Sequence, residues 1–372
     1  MFQTNKEEDF LKEHFGKYYS KNFVDLPTIE QREFGYGVFG RKIADRNKSF
    51  SSAEEMNSFL RQQRPLFFSY SNAYYKYPDR RPMQNKELIK ADIIYEFDAD
   101  DLVNVEEING KQWFSEENID EAKKQTLRLL DFIENDFNFS LGGVSINFSG
   151  KAGYHLHLRN KEIQGLSKQA RIELVDYLTG SGIFFENMGY LTKQLHCPKA
   201  KSMWQKRING GIVKFFGQDN KIISSLTELP VKKVEDLKKQ NVEKRINEGL
   251  LPDVGRNTND EFWKKVLSLV VEKERLPIDR QTSVDLHKII RVPMTLHGDT
   301  GLLASPIPID ALKKFDPFRD TVVFGKEKVK VFVNAAPKFS LNGETFGPFN
   351  QTEEELPLYA AIFLIGKGAK LV

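Results

Sequence analysis

The spacing of apolar residues predicts alternating helices and strands over the first 160 residues. Helical three- and four-residue spacing covers residues 6–20, and a second predicted helix, 52–63, begins at a serine cap and ends before a proline. A helix-prone piece near 86–90 and a longer helical pattern at 116–135 follow. Alternating patterns typical of strands lie at 32–42, 65–75, 93–100, 143–150 and 154–159. This order of elements predicts an α+β or α/β fold.

A helical region follows, and strands then return. Residues 165–275 are mostly helical in pattern and rich in Lys and Glu, with turn signals at Gly180-Ser181-Gly182, Gly210-Gly211 and Leu251-Pro252. Strand and loop patterns return at 289–303 and 328–333, and residues 353–368 predict a last helix. We therefore predict one domain formed by residues 1–164 and 276–372, and a mainly helical subdomain formed by residues 165–275.

The composition predicts a globular chain that stays in the cytoplasm. Apolar residues make up 40% of the 372, which argues against disorder, and no run approaches the roughly 18 apolar residues that a membrane helix needs. The amphipathic N-terminus lacks the apolar segment of a signal peptide. The single cysteine, Cys197, excludes an internal disulfide, a four-cysteine zinc site and an iron–sulfur cluster, and is expected to be a buried, inert thiol.

The net charge of +3 neither requires nor excludes a nucleic-acid partner, so the distribution of basic residues matters more than their sum. Basic side chains that could contact the phosphates of a single strand, or that could simply form a solvated surface, are Arg64, Arg80, Arg81, and the run Lys199, Lys201, Lys206 and Arg207 around Trp204.

An acidic cluster ends the predicted strand at 93–100. Alternation along a strand would place Asp98 and Asp100 on one face, where two carboxylates repel each other unless a cation lies between them or one is protonated. Oxygen ligands of this kind suit Mg²⁺ or Mn²⁺ that also binds a substrate phosphate, and a third carboxylate elsewhere would complete the site. Acidic residues at a strand end can equally be solvated turn residues.

The segment FSGKAGYHLHL, residues 148–158, could bind an anionic group. The Ser149 hydroxyl, the Lys151 ammonium and backbone N–H groups around Gly150 could converge on a phosphate, with His155 beside them. The same pattern fits an ordinary β-hairpin, and the pair His155 and His157 on one strand face would also fit a metal site of low specificity.

A third polar group lies in residues 278–302. Asp285 and Lys288, three apart on a predicted helix, could form only a solvated ion pair. Together with the two earlier groups, these residues supply carboxylates for metal ions and cations for a triphosphate, as nucleotidyl transfer requires. The members of this group are Asp279, Asp285, His287, Lys288, Arg291, His297 and the turn Gly298-Asp299-Thr300-Gly301.

Six motifs, in order, resemble those of the small catalytic subunit of archaeal and eukaryotic DNA primase, and most closely the archaeal branch. The resemblance covers essentially the whole chain. The motifs are REFGYGVFGRK (32–42), FFSYSNAYY (67–75), YEFDADD (95–101), FSGKAGYHLHL (148–158), D-x₁₁-R-x-P-x-x-L-H-G-x-T-G-L (279–302) and LPLYAAIFLIGKG (356–368).

The resemblance implies a prim-pol catalytic domain, built on a mixed β-sheet flanked by helices, that makes short RNA primers on single-stranded DNA from NTPs. It implies that two divalent ions, Mg²⁺ or Mn²⁺, are held by three aspartates: Asp98, Asp100 and Asp279. It also implies a nucleotide site, whose residues would be Arg32, Ser149, Gly150, Lys151, His155, Arg291 and His297. The family acts with a large subunit, so a heterodimer is expected.

Two departures from the family pattern change what is expected. Residues 102–147 contain no Cys or His, so the zinc knuckle that relatives usually carry there is expected to be absent, and no zinc or iron–sulfur cluster is expected in this chain. Many relatives have Arg where Ala152 stands, so one cationic contact is missing or is supplied from elsewhere.

Three rival functions remain open from the sequence. A prim-pol polymerase of repair or of a mobile element would share the same aspartates and His155. A metal-dependent nuclease would use the carboxylates but not the cations. A non-catalytic scaffold that binds single strands would gain nothing from an acidic cluster near phosphates.

Overall fold

The computed structural model describes residues 6–192, 195–255 and 259–372. Its helices are, in chain order, α1 (Lys6–Lys21), α2 (Ala53–Gln63), α3 (Ala99–Leu102), α4 (Glu116–Asp131), α5 (Lys161–Gln164), α6 (Lys168–Leu178), α7 (Met203–Phe216), α8 (Asn220–Thr227), α9 (Val231–Lys239), α10 (Val242–Asn247), α11 (Asn259–Glu274), α12 (Arg280–Ser283), α13 (Pro317–Asp320) and α14 (Leu358–Gly366).

The strands form several small sheets, and each strand pair among the described residues is antiparallel. They are β1 (Phe34–Val38), β2 (Arg41–Lys48), β3 (Phe67–Ser71), β4 (Ala73–Tyr75), β5 (Leu88–Ala91), β6 (Ile93–Asp98), β7 (Glu106–Ile108), β8 (Lys111–Trp113), β9 (Val144–Phe148), β10 (Gly153–Leu158), β11 (Ile289–Arg291), β12 (Pro306–Ile307), β13 (Lys328–Ala336), β14 (Phe339–Leu341), β15 (Glu344–Phe346), β16 (Phe349–Pro357) and β17 (Lys370–Leu371). The α+β class is confirmed, with small antiparallel sheets in place of one mixed sheet.

The chain divides into two compact units. The first comprises Met1–Leu130, Ser140–Ile172 and Ile278–Val372, and the second comprises Asp131–Phe139 and Glu173–Pro277. The first unit holds two four-stranded sheets, with strand orders β11-β3-β1-β2 and β12-β9-β10-β6. The sequence places the domain boundaries at 164/165 and 275/276, and these boundaries remain a prediction.

Local sequence signals explain where several elements begin and end. Ser52 caps α2 by accepting a hydrogen bond from the Glu55 N–H, as the serine and early glutamates predict. The predicted helix at 353–368 begins only at Leu358, because residues 353–357 pair with β13 as part of β16 and Pro357 precedes the first helical turn. The helix-prone piece at 86–90 forms a 3₁₀ turn, Met83–Lys86, and the strand β5 instead.

The apolar core of the first unit includes the whole of α14. All nine of its residues are buried, so the apolar run near the C-terminus packs inside the unit. No helix among the described residues is long and apolar enough to span a membrane.

The second unit uses some residues that the sequence offered as contacts for a DNA strand. Trp204 is buried, and its indole N–H donates to the Tyr177 carbonyl at 2.9 Å. Arg207 forms ion pairs with Asp131 and Asp136, each with a closest distance of 2.7 Å. Neither side chain is available as a DNA contact in this arrangement. Cys197 is buried, as predicted.

A buried ionic network in the first unit surrounds Asp92. The Asp92 carboxylate, which is fully buried, accepts hydrogen bonds from Arg32 at 3.0 Å, Tyr74 at 3.0 Å, Gln164 at 2.7 Å and Arg159 at 3.4 Å. A buried carboxylate is tolerated when several charged or polar donors compensate for its lost hydration. The network therefore ties together segments that are distant in sequence.

Arg32 belongs to this network and not to a nucleotide site. Its guanidinium is fully buried, and its Nη1 donates to the carbonyls of Ser71 and Asn72 at 2.8 and 2.9 Å. The sequence-based assignment of Arg32 to triphosphate binding is therefore corrected. Its Nη1 and Nη2 are engaged by internal partners, its buried Nε has no hydrogen-bond partner, and the side chain has no exposed surface to offer a ligand.

We predict that Asp92→Asn destabilises the protein by roughly 3–5 kcal/mol, because it leaves the buried Arg32 charge uncompensated. Urea unfolding monitored by circular dichroism measures this difference. Glu13→Gln, which breaks an exposed pair with Lys17, is the control and should cost less than about 1 kcal/mol. A loss below about 1 kcal/mol for Asp92→Asn would contradict the role of the network.

Candidate active site

A pocket of about 180 Å³ lies in the first unit, where the ends of β6 and β10 approach β11 and β2. It contains acidic and basic side chains from all three polar groups that the sequence analysis singled out. Its lining residues are Lys42, Glu96, Asp98, Asp100, Ser149, Lys151, Ala152, His155, Ile289, Ile290, Arg291 and His297.

The acidic side of the pocket is built at the end of β6. The strand ends at Asp98, and Asp100 lies in the short helix α3, so the two do not share a strand face as the alternation predicted. Both nevertheless line the pocket. Gly153 on β10 pairs with Asp98 on β6. The position requires glycine, because a Cβ there would overlap the Asp98 carboxylate.

Burial and like charges together raise the pKa values on this acidic side. Burial, followed by the neighbouring carboxylates of Glu96, Asp100 and Asp101, raises the pKa of Asp98 to about 7, and Lys151 only partly opposes the shift. The pKa of Asp101 is also raised, by burial first and then by Asp100, Asp279 and Glu96. The cluster therefore carries more negative charge than its own cations neutralise.

Asp279 lies at the edge of the acidic cluster. It is exposed and precedes α12, which packs against β6, and its charge contributes to the raised pKa of Asp101. It does not line the pocket in this structure. The structure thus brings Asp98 and Asp100 together and places Asp279 close enough to act electrostatically on their neighbour.

The loop between β9 and β10 is held by the Ser149 hydroxyl. Ser149 Oγ accepts hydrogen bonds from the backbone N–H groups of Lys151, Ala152 and Gly153 at 3.3, 3.3 and 3.1 Å. These N–H groups were predicted to point toward an anion, but in this structure they form the turn itself. Gly150 has a φ of +82°, and a Cβ there would lie 2.9 Å from the Cβ of His297.

Lys151 and His155 both line the pocket. Burial first, and then the nearby Lys42, lowers the pKa of Lys151. His155 Nε2 lies 3.4 Å from Glu96, and burial lowers the pKa of His155 to about 4, so its imidazole is neutral near pH 7. A neutral imidazole can still donate one hydrogen bond to a phosphate oxygen.

Arg291 and His297 complete the basic side of the pocket. The Nε and Nη1 of Arg291 are buried without a hydrogen-bond partner, and the guanidinium lies 5.1 Å from the Phe67 ring. Burial lowers its pKa to about 10, so it remains charged. His297 Nδ1 accepts the Asp299 N–H at 3.2 Å, which leaves its proton on Nε2 if the ring is neutral, as its strongly lowered pKa indicates.

Three polar residues of this site were not assigned a role from the sequence. Glu96 accepts a hydrogen bond from Lys288, and burial alone would raise its pKa, but His155 and Lys288 keep it below the usual value. Lys288, which from the sequence could have formed only a solvated pair with Asp285, pairs with Glu96. Glu96 belongs to the acidic motif YEFDADD, and its alternation with Asp98 along β6 could have predicted that it faces the same pocket. Nothing in the sequence around Lys42 predicted that it would line the pocket.

The donor set fits a divalent cation in its chemistry. Mg²⁺ and Mn²⁺ bind carboxylate oxygens and complete their shells with water and substrate phosphates, so one or two carboxylates suffice. Asp98 and Asp100 offer such oxygens where negative charge is in excess. Across the described ranges, no group of three or more acidic, His or Cys side chains is already arranged to hold a metal ion by itself.

Comparison with known proteins identifies the family to which the chain belongs. The sequence profile described as DNA primase small subunit matches residues 97–309, more than half of the chain. The chain belongs to the DNA primase small subunit family.

Curated relatives of the archaeal type match nearly the full length. The DNA primase small subunit PriS of Methanothrix thermoacetophila is 30% identical, with 98% of each chain covered. Those of Picrophilus torridus and Methanosarcina barkeri are 30% and 28% identical, with 95% or more of each chain covered. The recognition made from the six motifs is confirmed, and a separate repair or mobile-element polymerase is not favoured.

We predict that metal-free Asp98→Asn protein is more thermally stable than the unaltered chain at pH 8, and by a smaller margin at pH 5. The pKa of about 7 means that the folded state at pH 8 must hold Asp98 ionised beside its neighbours, whereas at pH 5 it keeps the group protonated, so the cost is smaller there and vanishes only below the ordinary pKa of 3.8. Calorimetry in the presence of a chelator should show a difference of a few degrees at pH 8 that shrinks toward pH 5.

The exposed Asp310→Asn is the matched charge control for this comparison. It should change the melting temperature little, and equally at both pH values. An Asp98→Asn effect that does not depend on pH would show that the acidic cluster is not strained by its own charge.

Proposed function

We propose that this chain is the catalytic subunit of a DNA primase, which joins NTPs into short RNA primers on a single-stranded DNA template by metal-dependent nucleotidyl transfer. Membership of the small-subunit family supports the primase role. The pocket supports the reaction class, because it holds uncompensated carboxylates and buried cations within one cavity.

One observation carries the proposal for a triphosphate ligand. Arg291 presents buried N–H donors that have no partner, in the same pocket as the carboxylates of Asp98 and Asp100. A buried guanidinium with unmade hydrogen bonds is costly unless an anion binds there. A ligand that carries both phosphates and divalent cations would satisfy the two sides of the pocket together.

In the reaction, a bond forms between the 3′ oxygen of one nucleotide and the α-phosphorus of the next, the bond from that phosphorus to the pyrophosphate oxygen breaks, and the hydroxyl proton passes to water. Arg291 would bind oxygens of the triphosphate, and Lys151 would add a second positive charge. The neutral rings of His155 and His297 would donate single hydrogen bonds. Holding the triphosphate in line with the attacking oxygen accounts for much of the rate enhancement, because it removes orientational freedom before the reaction.

Asp98 and Asp100, with Asp279 from the edge of the cluster, would hold Mg²⁺ or Mn²⁺. When bound, such ions stabilise negative charge on the attacking and leaving oxygens. The raised pKa of Asp98 means that its carboxyl group would have to lose a proton before it could bind a cation.

The cations distinguish this reaction from metal-dependent hydrolysis. A nuclease could use Asp98 and Asp100, but the buried Arg291 and the Lys151 ammonium would then lack an obvious ligand. Their presence favours transfer from a triphosphate. We further propose a large primase subunit and a single-stranded DNA template as partners, and we keep the expectation that this chain binds no zinc and no iron–sulfur cluster.

We predict that Asp100→Asn reduces primer synthesis by at least about 10³-fold, and that Arg291→Met reduces kcat/KM for NTP by roughly 10²-fold or more. The assay uses unprimed single-stranded DNA, labelled ATP and either Mg²⁺ or Mn²⁺, with the large subunit present. The activity that defines a primase is the formation of a dinucleotide without a primer.

The matched control is Arg319→Met, which removes an arginine that is paired at the surface with Asp316 and leaves the pocket unaltered. It should retain near-normal synthesis. Folded Asp100→Asn protein that makes primers at a normal rate would exclude the proposed site.

A further inference from the structure

A glutamine outside all six motifs connects the two sides of the pocket. Gln112 lies on β8, in the β7–β8 hairpin, which the sequence analysis did not anticipate. Its side-chain Nε2 donates to Asp100 Oδ2 at 2.9 Å, and its Oε1 accepts from Lys151 Nζ at 2.7 Å. One carboxamide thus contacts both a proposed metal ligand and a proposed triphosphate ligand.

The chemistry of the carboxamide matches these two neighbours. A carboxylate accepts hydrogen bonds and an ammonium donates them, so the group between them must offer one donor and one acceptor. Gln112 does this without adding charge. Asp100 and Lys151 are thereby held by a neutral group instead of by each other, so that their charges are not spent on a mutual ion pair.

The backbone of Gln112 is fixed from the C-terminal side of the fold. Lys367, which follows α14, donates its Nζ to the Gln112 carbonyl at 2.7 Å. The same ammonium lies 5.6 Å from the Trp113 ring and 5.7 Å from the Phe114 ring, and Lys151 lies 5.4 Å from Phe114. Burial and the nearby Lys151 lower the pKa of Lys367 to about 8, in agreement with two ammonium groups held in one partly dry region.

We propose that Gln112 is a positioning residue that fixes the separation between Asp100, on the metal side, and Lys151, on the triphosphate side, for a nucleoside triphosphate bound with a divalent cation. This inference rests on the proposed function, because it assigns Gln112 a role toward the same ligand. The hydrogen-bonded partners of metal-binding carboxylates commonly change metal affinity or activity by roughly 10–100-fold when they are removed.

Two substitutions separate positioning from simple support of the hairpin. Gln112→Met keeps an unbranched side chain of similar length and removes both hydrogen bonds. Gln112→Glu has nearly the same shape as the original residue but loses the donor to Asp100 and pairs electrostatically with Lys151. If Gln112 only supported the hairpin, the Glu variant would behave like the unaltered protein.

The experiment measures three quantities on the complete chain: Mn²⁺ affinity by electron paramagnetic resonance, equilibrium binding of a non-hydrolysable ATP analogue, and the KM and kcat of primer synthesis. We expect both variants to weaken binding of the analogue and to raise the NTP KM by roughly tenfold. Gln112→Met should also weaken Mn²⁺ binding. Melting temperatures should stay within about 2 °C of the unaltered protein, and where the Met variant does not fold, the Glu variant decides.

Gln62→Met is the control, since Gln62 is an exposed glutamine on α2 whose side-chain Nε2 donates to the Ser58 hydroxyl at 3.2 Å. It should leave all three quantities unchanged. Values for both Gln112 variants within twofold of this control would overturn the positioning role. A chain that makes no primers in its unaltered form would instead overturn the proposed function, while the two binding measurements would still judge Gln112.

Discussion

The burial of mutually repelling carboxylates at the end of β6 is the constraint on which the pocket depends. Folding places Asp98 and Asp100 in one cavity, with Glu96 and Asp101 close by, and burial weakens the hydration that would otherwise separate their charges. Such an arrangement costs stability unless a cation joins it. The rest of the protein has to hold these groups in place against that repulsion.

Two features of the fold supply the opposing rigidity. The Asp92 network uses fully buried ionic hydrogen bonds to join segments that are remote in sequence. Around the pocket itself, Ser149 fixes the loop that carries Lys151, and the Gln112 amide connects Lys151 to Asp100. Polar networks of this kind hold a geometry well when their members have partners; Arg32 in the Asp92 network leaves one buried N–H group without a partner, and Arg291 in the pocket leaves two nitrogens without one.

The sequence predicted much of the fold because its local signals were strong. Period-two stretches located β1, β3, β6, β9, β10 and β11, and cap residues located α2. Where local preference and tertiary pairing disagreed, pairing decided: residues 353–357 are rich in Glu yet form part of β16 because β13 offers a ladder. The β7–β8 hairpin has only three residues in each strand, too few for a periodic signal.

The sequence predicted only those site residues that lie in motifs with a recognisable chemical role. Alternation implied that Asp98 and Asp100 lie together, and they do share a pocket, although the strand ends between them. Arg32 belongs to a motif, but its side chain is buried in the core. Gln112 belongs to no motif, but it lies between Asp100 and Lys151. Sequence spacing predicts neither position, because both arise from contacts between distant segments.

The most direct test is a crystal structure with Mn²⁺ and a non-hydrolysable NTP, with the ion located by anomalous scattering. We expect Mn²⁺ bonded to Asp98 and Asp100, with the triphosphate against Arg291 and Lys151. Mn²⁺ bound elsewhere, or a triphosphate that leaves Arg291 without a contact, would contradict the proposed site.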